Sequence, residues 1–300
     1  MLDSSCTLGY SVPVNKLSRD KRAQILGMMV EGVSIRSITR LTGASKNTVA
    51  KLLADAGRAC VDYQDRTLKN LPCKRVQCDE IWSFVYAKDK NLPESMRSKP
   101  GVGSIWTWTA ICADTKLVPS FHVGTRDAAC AYEFMSDLAS RLRGRVQFTT
   151  DGHGAYLNAV RDAFRHDIDY AMLVKLYGAS TDDEGRYSPP KCVGTRREEI
   201  IGFPKVDDIS TSYVERQNLS MRMAMRRFTR LTNAFSKKVA NHEHAIAIYF
   251  MHYNFVRIHQ TLRCTPAMEA GVTDRLWSMG DLVGVLEEWE ARQLPKAGTD

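Results

Sequence analysis

Three stretches near the start of the chain carry apolar residues at helical spacing. Between residues 18 and 56 the apolar positions recur with a period near 3.6, which predicts three short helices. Ser18, Ser34 and Ser45 stand where the stretches begin, and serine is a favoured first residue of a helix. A turn containing Gly43 separates the second stretch from the third. A short helix, a glycine turn and a third helix with a polar start are typical of a helix-turn-helix motif.

The third predicted helix begins with polar residues that are suited to contact DNA. In helix-turn-helix proteins this helix enters the major groove and its first turns meet base edges. The residues predicted to do so are Ser45, Lys46, Asn47, Thr48 and Lys51. A plain three-helix unit with a solvated polar face would show the same pattern. We predict an N-terminal arm over residues 1–17, a DNA-binding domain over 18–56 and a charged linker over 57–75.

From residue 76 onward the pattern changes to alternating and β-branched runs, which predict strands. The predicted strands are 76–86, 104–112, 117–123, 146–150 and 168–176, and the second and third form a hairpin. Amphipathic helices are predicted at 127–142 and 155–164. Residues 178–208, rich in glycine and proline, form an insertion, either a DNA-contacting flap with Lys191, Arg196 and Arg197 or a solvated loop. Two long helices follow, and residues 271–300 form a C-terminal helix and tail.

Three acidic residues lie where this pattern gives them chemical meaning. Asp79 lies in the first strand, Asp151 ends the fourth, and Glu215 opens a late basic helix. A carboxylate against an apolar core is costly unless a cation meets it. Two Mg²⁺ ions held by a few carboxylates can activate one oxygen and stabilise another in phosphodiester cleavage. With this order of elements, the acids predict an α/β ribonuclease-H-like core at 76–270.

Each acid also has a structural interpretation. Asp151-Gly152 is an ordinary strand-to-loop turn, and Glu215 could offset a helix dipole. Glu80 competes with Asp79, since adjacent residues of a strand face opposite ways. His153 could orient water or phosphate, or could make a structural hydrogen bond.

The late helix is predicted to bring cations to the same place as Glu215. Arg222 and Arg226 follow Glu215 by seven and eleven residues, which is one helical face. Cations on that face would meet substrate phosphates. Arg227 and Arg230 lie in the same basic stretch and are predicted to contact DNA as well.

Charge and composition agree with a polyanionic partner. The 300 residues carry a net charge of +8, and the pI is about 9.1. Without a membrane-spanning run or a secretory signal in the first residues, we expect an intracellular protein, cytoplasmic and nucleoid-associated in a prokaryote. The eight cysteines contain no Cys-x-x-Cys pair and read as free thiols. A zinc site built from Cys73, Cys78 and a remote ligand is the alternative.

The chain resembles the transposases of the insertion sequence 1 family, within the DDE class. The matching stretches are 78–84, 149–156, 213–223, 226–237, and 253–263 with Pro266. The resemblance implies a Mg²⁺-dependent strand-transfer enzyme, with Mn²⁺ as a possible substitute and Asp79, Asp151 and Glu215 as metal ligands. Arg222 occupies the place of a basic residue found two turns after the glutamate.

In that family the enzyme frees 3′-hydroxyls at transposon ends, and these attack target DNA. Family members act on double-stranded DNA as dimers or larger assemblies. This chain departs from the family in having no paired cysteines near its N-terminus. Two other functions fit the same sequence: a DNA-binding regulator on a repurposed fold, and a nuclease without strand transfer.

Overall fold

The core of the protein is a mixed six-stranded sheet, seen in a computed structural model that describes residues 16–178, 192–229 and 233–293. The strands are β1 (Arg75–Val85), β2 (Gly103–Cys112), β3 (Phe121–Gly124), β4 (Val146–Asp151), β5 (Ile168–Tyr177) and β6 (Cys192–Ile201). Their spatial order is β3-β2-β1-β4-β5-β6. β1, β2 and β3 are antiparallel neighbours, β4 and β5 run parallel to β1, and β6 is antiparallel to β5. This is the ribonuclease-H-like α/β fold that the sequence predicted.

Helices cover both faces of the sheet and form a separate layer at the N-terminus. They are α1 (Arg19–Val30), α2 (Ile35–Thr42), α3 (Lys46–Thr67), α4 (Glu94–Arg97), α5 (Ala128–Arg141), α6 (Ala155–Phe164), α7 (Ser212–Ala224), α8 (Val239–Phe255), α9 (Pro266–Glu269) and α10 (Met279–Gln293). Alternation along β1 divides the core between the two faces. Val76 and Cys78 pack with α5 and α6, whereas Ile81 packs with α7 and α8.

Helix α3 is longer than the sequence suggested. The predicted linker over 57–75 is wrong for residues 57–67, which continue α3 as one helix of 22 residues. Its second half buries small side chains against α8, and a Cβ added at Gly57 would lie 2.2 Å from His244 Cβ. Such close packing needs a glycine and fixes the three N-terminal helices to the core.

Two other predicted boundaries moved. The third strand begins at Phe121 rather than residue 117, because the side-chain amide of Asn254 takes both hydrogen bonds of the Val118 backbone at 3.0 and 2.9 Å. The predicted insertion contains β6, which pairs with β5; Arg196 and Arg197 lie in that strand. Lys191 and residues 179–190 lie outside the described residues.

The C-terminal helix α10 returns to the N-terminal layer, where Glu290 pairs with Arg22 at 3.2 Å. None of the helices in the described part of the chain is long and apolar enough to cross a membrane.

Candidate active site

Asp79 and Asp151 meet where the two central parallel strands lie side by side. The register pairs Cys78 with Thr150, so the next residue on each strand is one of the two acids. Ligand oxygens of Asp79, Glu80 and Asp151 all lie within 4.8 Å of one another. Burial, and then the charge of Asp151, raise the pKa of Asp79 to about 6. The site concentrates negative charge that the protein alone does not fully compensate.

Asp79 and Glu80, the two neighbouring acids of β1, have different surroundings. Asp79 accepts a hydrogen bond from Asn218 Nδ2 of α7 at 2.9 Å. The Glu80 side chain is fully buried and accepts from Arg126 Nε at 2.9 Å. Burial, and then the charge of Asp151, raise the pKa of Glu80 to about 7. Asp79 therefore faces α7, and Glu80 points to the opposite face of β1.

Arg126 links the buried acid to the strand end. Its Nη2 lies 3.5 Å from Asp151 Oδ2, and its guanidinium lies 4.9 Å from the centroid of the Trp106 ring. Sequence reasoning missed this residue, which stands in a loop before α5 and carries no motif. Its contact with Asp151 is long, and the Asp151 side chain stays 31% exposed.

The side chain of Gln77 holds the start of α7 against the sheet. Gln77 Oε1 accepts from the backbone N–H groups of Tyr213 and Val214 at 2.8 and 3.2 Å. These are orphan donors of the first helical turn, so Gln77 acts as a cap supplied from another element. Together with Asn218 on Asp79, this contact sets the position of Glu215. Gln77 lies two residues before Asp79 and so shares its face of β1, and Asn218 lies three residues after Glu215 on α7. These spacings could have identified both residues from the sequence.

Glu215 lies near the two strand acids but outside their close group. Its Oε1 is 2.7 Å from Lys175 Nζ and accepts a hydrogen bond from the Thr211 hydroxyl. Its charge also raises the pKa of Asp79, by less than Asp151 does. The structure thus brings Asp79 and Asp151 together and places Glu215 beside them in an ion pair with Lys175, another residue that sequence reasoning missed.

The donor set suits a hard divalent cation. Carboxylate oxygens are preferred ligands of Mg²⁺. The buried oxygen Asn218 Oδ1 has no hydrogen-bond partner among the described residues, and the neighbouring acids repel one another. Within the described ranges no other group of three or more such ligands is close enough for a metal, so Cys73 and Cys78 find no third zinc ligand there.

The basic residues predicted on α7 divide into different environments. Arg222 Nη1 donates to the Phe228 carbonyl at 2.9 Å. The helix ends at Ala224 and Met225 is extended (φ −121°), so the prediction that Arg226 shares a helical face with Glu215 is wrong. Arg227 donates to the Ser236 hydroxyl. Arg230 lies outside the described residues.

Some of the remaining residues that were predicted to contact DNA or substrate already make contacts within the protein. Ser45 caps α3 by accepting from Thr48 N at 3.1 Å, and their hydroxyls lie 2.9 Å apart. Lys51 pairs with Asp55, whereas Lys46 and Asn47 are exposed. His153 N donates to Asp151 Oδ1 at 2.9 Å, and its ring packs against Trp108. That hydrogen bond comes from the backbone, whereas the buried ring Nε2 has no hydrogen-bond partner among the described residues, so the role of the His153 side chain stays a prediction.

Neither a family model nor a curated protein matches the chain. Among solved structures, it is similar to a Mos1 transposase paired-end complex with left transposon end, with 14% identity and a TM-score of 0.22. That match covers 52% of this chain and 59% of the other, so it spans less than two thirds of that protein. A Mos1 mariner paired-end complex with Mn has 10% identity and a TM-score of 0.32, covering 94% of this chain and 79% of that one. The Mos1 strand transfer complex has 14% identity and a TM-score of 0.23, covering 78% and 77%. Similarity at this level says nothing about activity.

Proposed function

We propose that the chain is a DDE-type DNA transposase, a polynucleotidyl transferase that cleaves at transposon ends and joins 3′-hydroxyls to target DNA. The observation that carries this proposal is the meeting of Asp79 and Asp151 on adjoining parallel strands, with α7 placing Glu215 on the same side. Mg²⁺ is the expected metal, with Mn²⁺ as substitute and two ions when DNA is bound. Such ions would supply an activated attacking oxygen and stabilisation of the leaving oxygen.

The chain's own residues would prepare this site. Asp79 and Asp151 would hold metal directly, and Glu215 would complete the set after exchanging Lys175 for an ion. Asn218 orients the Asp79 carboxylate, and Gln77 fixes the start of α7. Lys175, once released from Glu215, would lie beside the phosphate that reacts.

The N-terminal layer would recognise the transposon end. Lys46 and Asn47 are exposed in the first turn of α3, where a helix-turn-helix protein contacts bases. Arg226 is exposed beyond α7 and would meet a phosphate. We infer that double-stranded DNA is the partner, that a dimer or larger assembly bridges two ends, and that the reaction takes place at the nucleoid.

The test joins pre-cleaved end DNA, taken from the sequence flanking the gene, to a plasmid in the presence of Mg²⁺ or Mn²⁺. We expect joined products from the wild-type chain and none from Asp151→Asn. Asp162→Asn, an exposed aspartate of α6, is the matched control and should join normally.

The products separate the candidate functions. A regulator would bind the ends without metal-dependent nicking, and a nuclease would cut without joining. Joining that survives Glu215→Gln would contradict the assignment of the third acid while leaving Asp79 and Asp151 in place.

A further inference from the structure

A large cleft lies between the N-terminal helices and the far end of the sheet, away from the acids. Its walls are the α1–α2 turn, the first half of α3, the end of β1 with the loop that follows, the 226–228 turn and α8. The cavity volume is about 1540 Å³. Small-molecule pockets occupy roughly 300–1,000 Å³, so the cleft has room for a segment of a polymer.

The lining of the cleft has one sign of charge. Seven lining residues are Lys or Arg, and none of those that the structure describes is Asp or Glu. Six of these cations form no ion pair with any acid in the described ranges: Arg36, Lys46, Lys90, Arg226, Arg227 and Lys237. Walls of one sign focus a positive potential, which favours a polyanion.

Arg227 is the most enclosed of these cations. It donates to the Ser236 hydroxyl, which lies 3.2 Å from His242 Nδ1, and His242 Nε2 lies 3.1 Å from Ser83 Oγ. Burial lowers the pKa of Arg227 to about 10. Burial, and then the Arg227 charge, lower the pKa of His242 to about 3. The neighbours that hold Arg227 are neutral, so its charge remains available to an anion.

Aromatic rings stand among the cations. Tyr86 is 39% exposed, and its backbone has φ 69°, a conformation uncommon outside glycine. A hydrogen bond of 2.8 Å from Tyr86 N to the Ser236 carbonyl holds it there. Phe235 is partly exposed and packs on Phe84 with ring centroids 5.2 Å apart. Cations combined with aromatic faces are typical of sites that bind single-stranded nucleic acid.

We propose that this cleft binds an unpaired DNA strand, with its phosphates on the cations and its bases stacked on Tyr86 and Phe235. Bases inside a duplex stack on one another, so these rings could not reach their faces. The inference rests on the proposed function only in taking DNA as the substrate.

Short stretches of β1 and α7 separate the cleft from the acids. Five residues of β1 separate Asp79 from Phe84, about 17 Å at strand spacing. Nine residues of α7 separate Glu215 from Ala224, about 14 Å at helical spacing. At the duplex rise of about 3.4 Å per nucleotide this span is roughly five nucleotides, and a more extended unpaired strand would cover it with fewer.

The first test measures binding of a fluorescent twelve-residue oligo-dT and of a twelve-base-pair duplex, both in EDTA. We expect Tyr86→Ala to weaken oligo-dT binding by about five- to hundred-fold, the range seen when one stacking ring is lost. Tyr86→Phe should retain binding. Lys90→Glu and Lys237→Glu change exposed side chains only, and they should weaken oligo-dT binding as Tyr86→Ala does.

Matched controls lie elsewhere on the surface. Tyr132→Ala removes an exposed ring of α5, and Lys74→Glu reverses a charge at the opposite end of β1. Both should bind like the wild-type chain. Cleft variants that bind oligo-dT normally, or a wild-type chain that binds the duplex but not oligo-dT, would overturn the inference.

The second test uses 5-iododeoxyuridine placed at successive positions of an unpaired strand next to an end duplex, with the Asp151→Asn chain. We expect the photo-crosslink to Tyr86 to peak within roughly five nucleotides of the cleavage position. Crosslinks confined to other regions would overturn the inference. Because neither test needs catalysis, strand binding without joining would count against the proposed function alone, and joining that is unaffected by the cleft variants would count against the cleft alone.

Discussion

The two ends of α7 differ in the sign of the charge that remains uncompensated. At its start, Asp79 and Asp151 crowd together, and the pKa of Asp79 rises to about 6. Beyond its end, Arg226 and Arg227 line a cleft whose described lining residues include no acid. The first region carries an excess of negative charge, and the second carries an excess of positive charge. Divalent cations would complete the first and a polyanion the second, so the charges describe the ligands as much as the fold.

The partners within each region also differ. Each acid accepts a short hydrogen bond that orients its carboxylate: Asp79 from Asn218 Nδ2 and Asp151 from His153 N, both at 2.9 Å. Most cations of the cleft are exposed and make no ion pair with the acids that the structure describes. Fixed geometry suits chemistry on one phosphate, whereas exposed cations suit contact with a phosphate backbone of any sequence.

The largest effect should come from comparing the two neighbouring acids of β1. Asp79→Asn should reduce strand transfer by about a thousand-fold or more, because metal ligation supplies several kcal/mol of stabilisation. Glu80→Gln should reduce it much less, because Glu80 acts through Arg126. The measurement is joined product against time in Mg²⁺. An equal loss in both variants would remove the distinction between the two faces of the strand.

The packing of α3 against α8, two helices that line the cleft, can be broken at Gly57. Gly57→Ala forces a Cβ into His244 and should lower the free energy of unfolding by about 1–3 kcal/mol, as overpacking does. Thermal or denaturant unfolding measures this loss. Gly154→Ala, where an added Cβ meets nothing within 4 Å, is the matched control and should change stability little. Equal stability of both variants would show that α3 and α8 can separate at low cost.

The acids should make the metal-free protein less stable as pH rises. An unfolded aspartate has a pKa near 4, and Asp79 has a pKa of about 6 in the fold. Between these values the folded state keeps a proton that the unfolded state has lost, so the free energy of unfolding falls with increasing pH. Partial exposure limits the change to about 1–2 kcal/mol.

Asp79→Asn should therefore be more stable than the wild-type chain at pH 8 and nearly equal at pH 4.5. Unfolding in EDTA at both pH values tests this, and adding Mg²⁺ should restore stability to the wild-type chain alone. Parallel curves of the free energy of unfolding against pH for the two proteins would mean that the fold does not raise the pKa of Asp79.

The smallest effect concerns the salt dependence of the cleft. Each phosphate contact on a single strand contributes about 0.7 to the slope of log K against log salt. Lys90→Gln should lower the slope for oligo-dT by about that amount, and Lys74→Gln should leave it unchanged. An unchanged slope in Lys90→Gln would place the phosphates elsewhere.

The sequence predicted those parts of the fold that depend on local pattern. Alternation along β1 and the apolar run before Asp151 identified the two central strands, and their acids followed. The length of α3 was missed because its buried small residues meet α8, nearly two hundred residues later. The break at Met225 was missed because a helical pattern continues through it, which misplaced Arg226.

The partners of the acids depend on tertiary contacts that local pattern does not reveal. Arg126 reaches Glu80 from a loop, and Lys175 reaches Glu215 from β5. Neither has a fixed spacing from the acid that it meets. The role of Glu215 stays a prediction, because the ion pair with Lys175 holds it outside the close group.

The uninterrupted course of α3 has a consequence for the DNA itself. A rod of 22 residues, about 33 Å long, begins at Lys46 beside the cleft and ends packed on α8. If its first turn reads bases and the acids cut DNA, as proposed, the protein fixes the interval between the sequence read and the bond cut. Adding five base pairs to that interval would turn the cutting site to the wrong side of the double helix, whereas ten would restore its phase but not its reach.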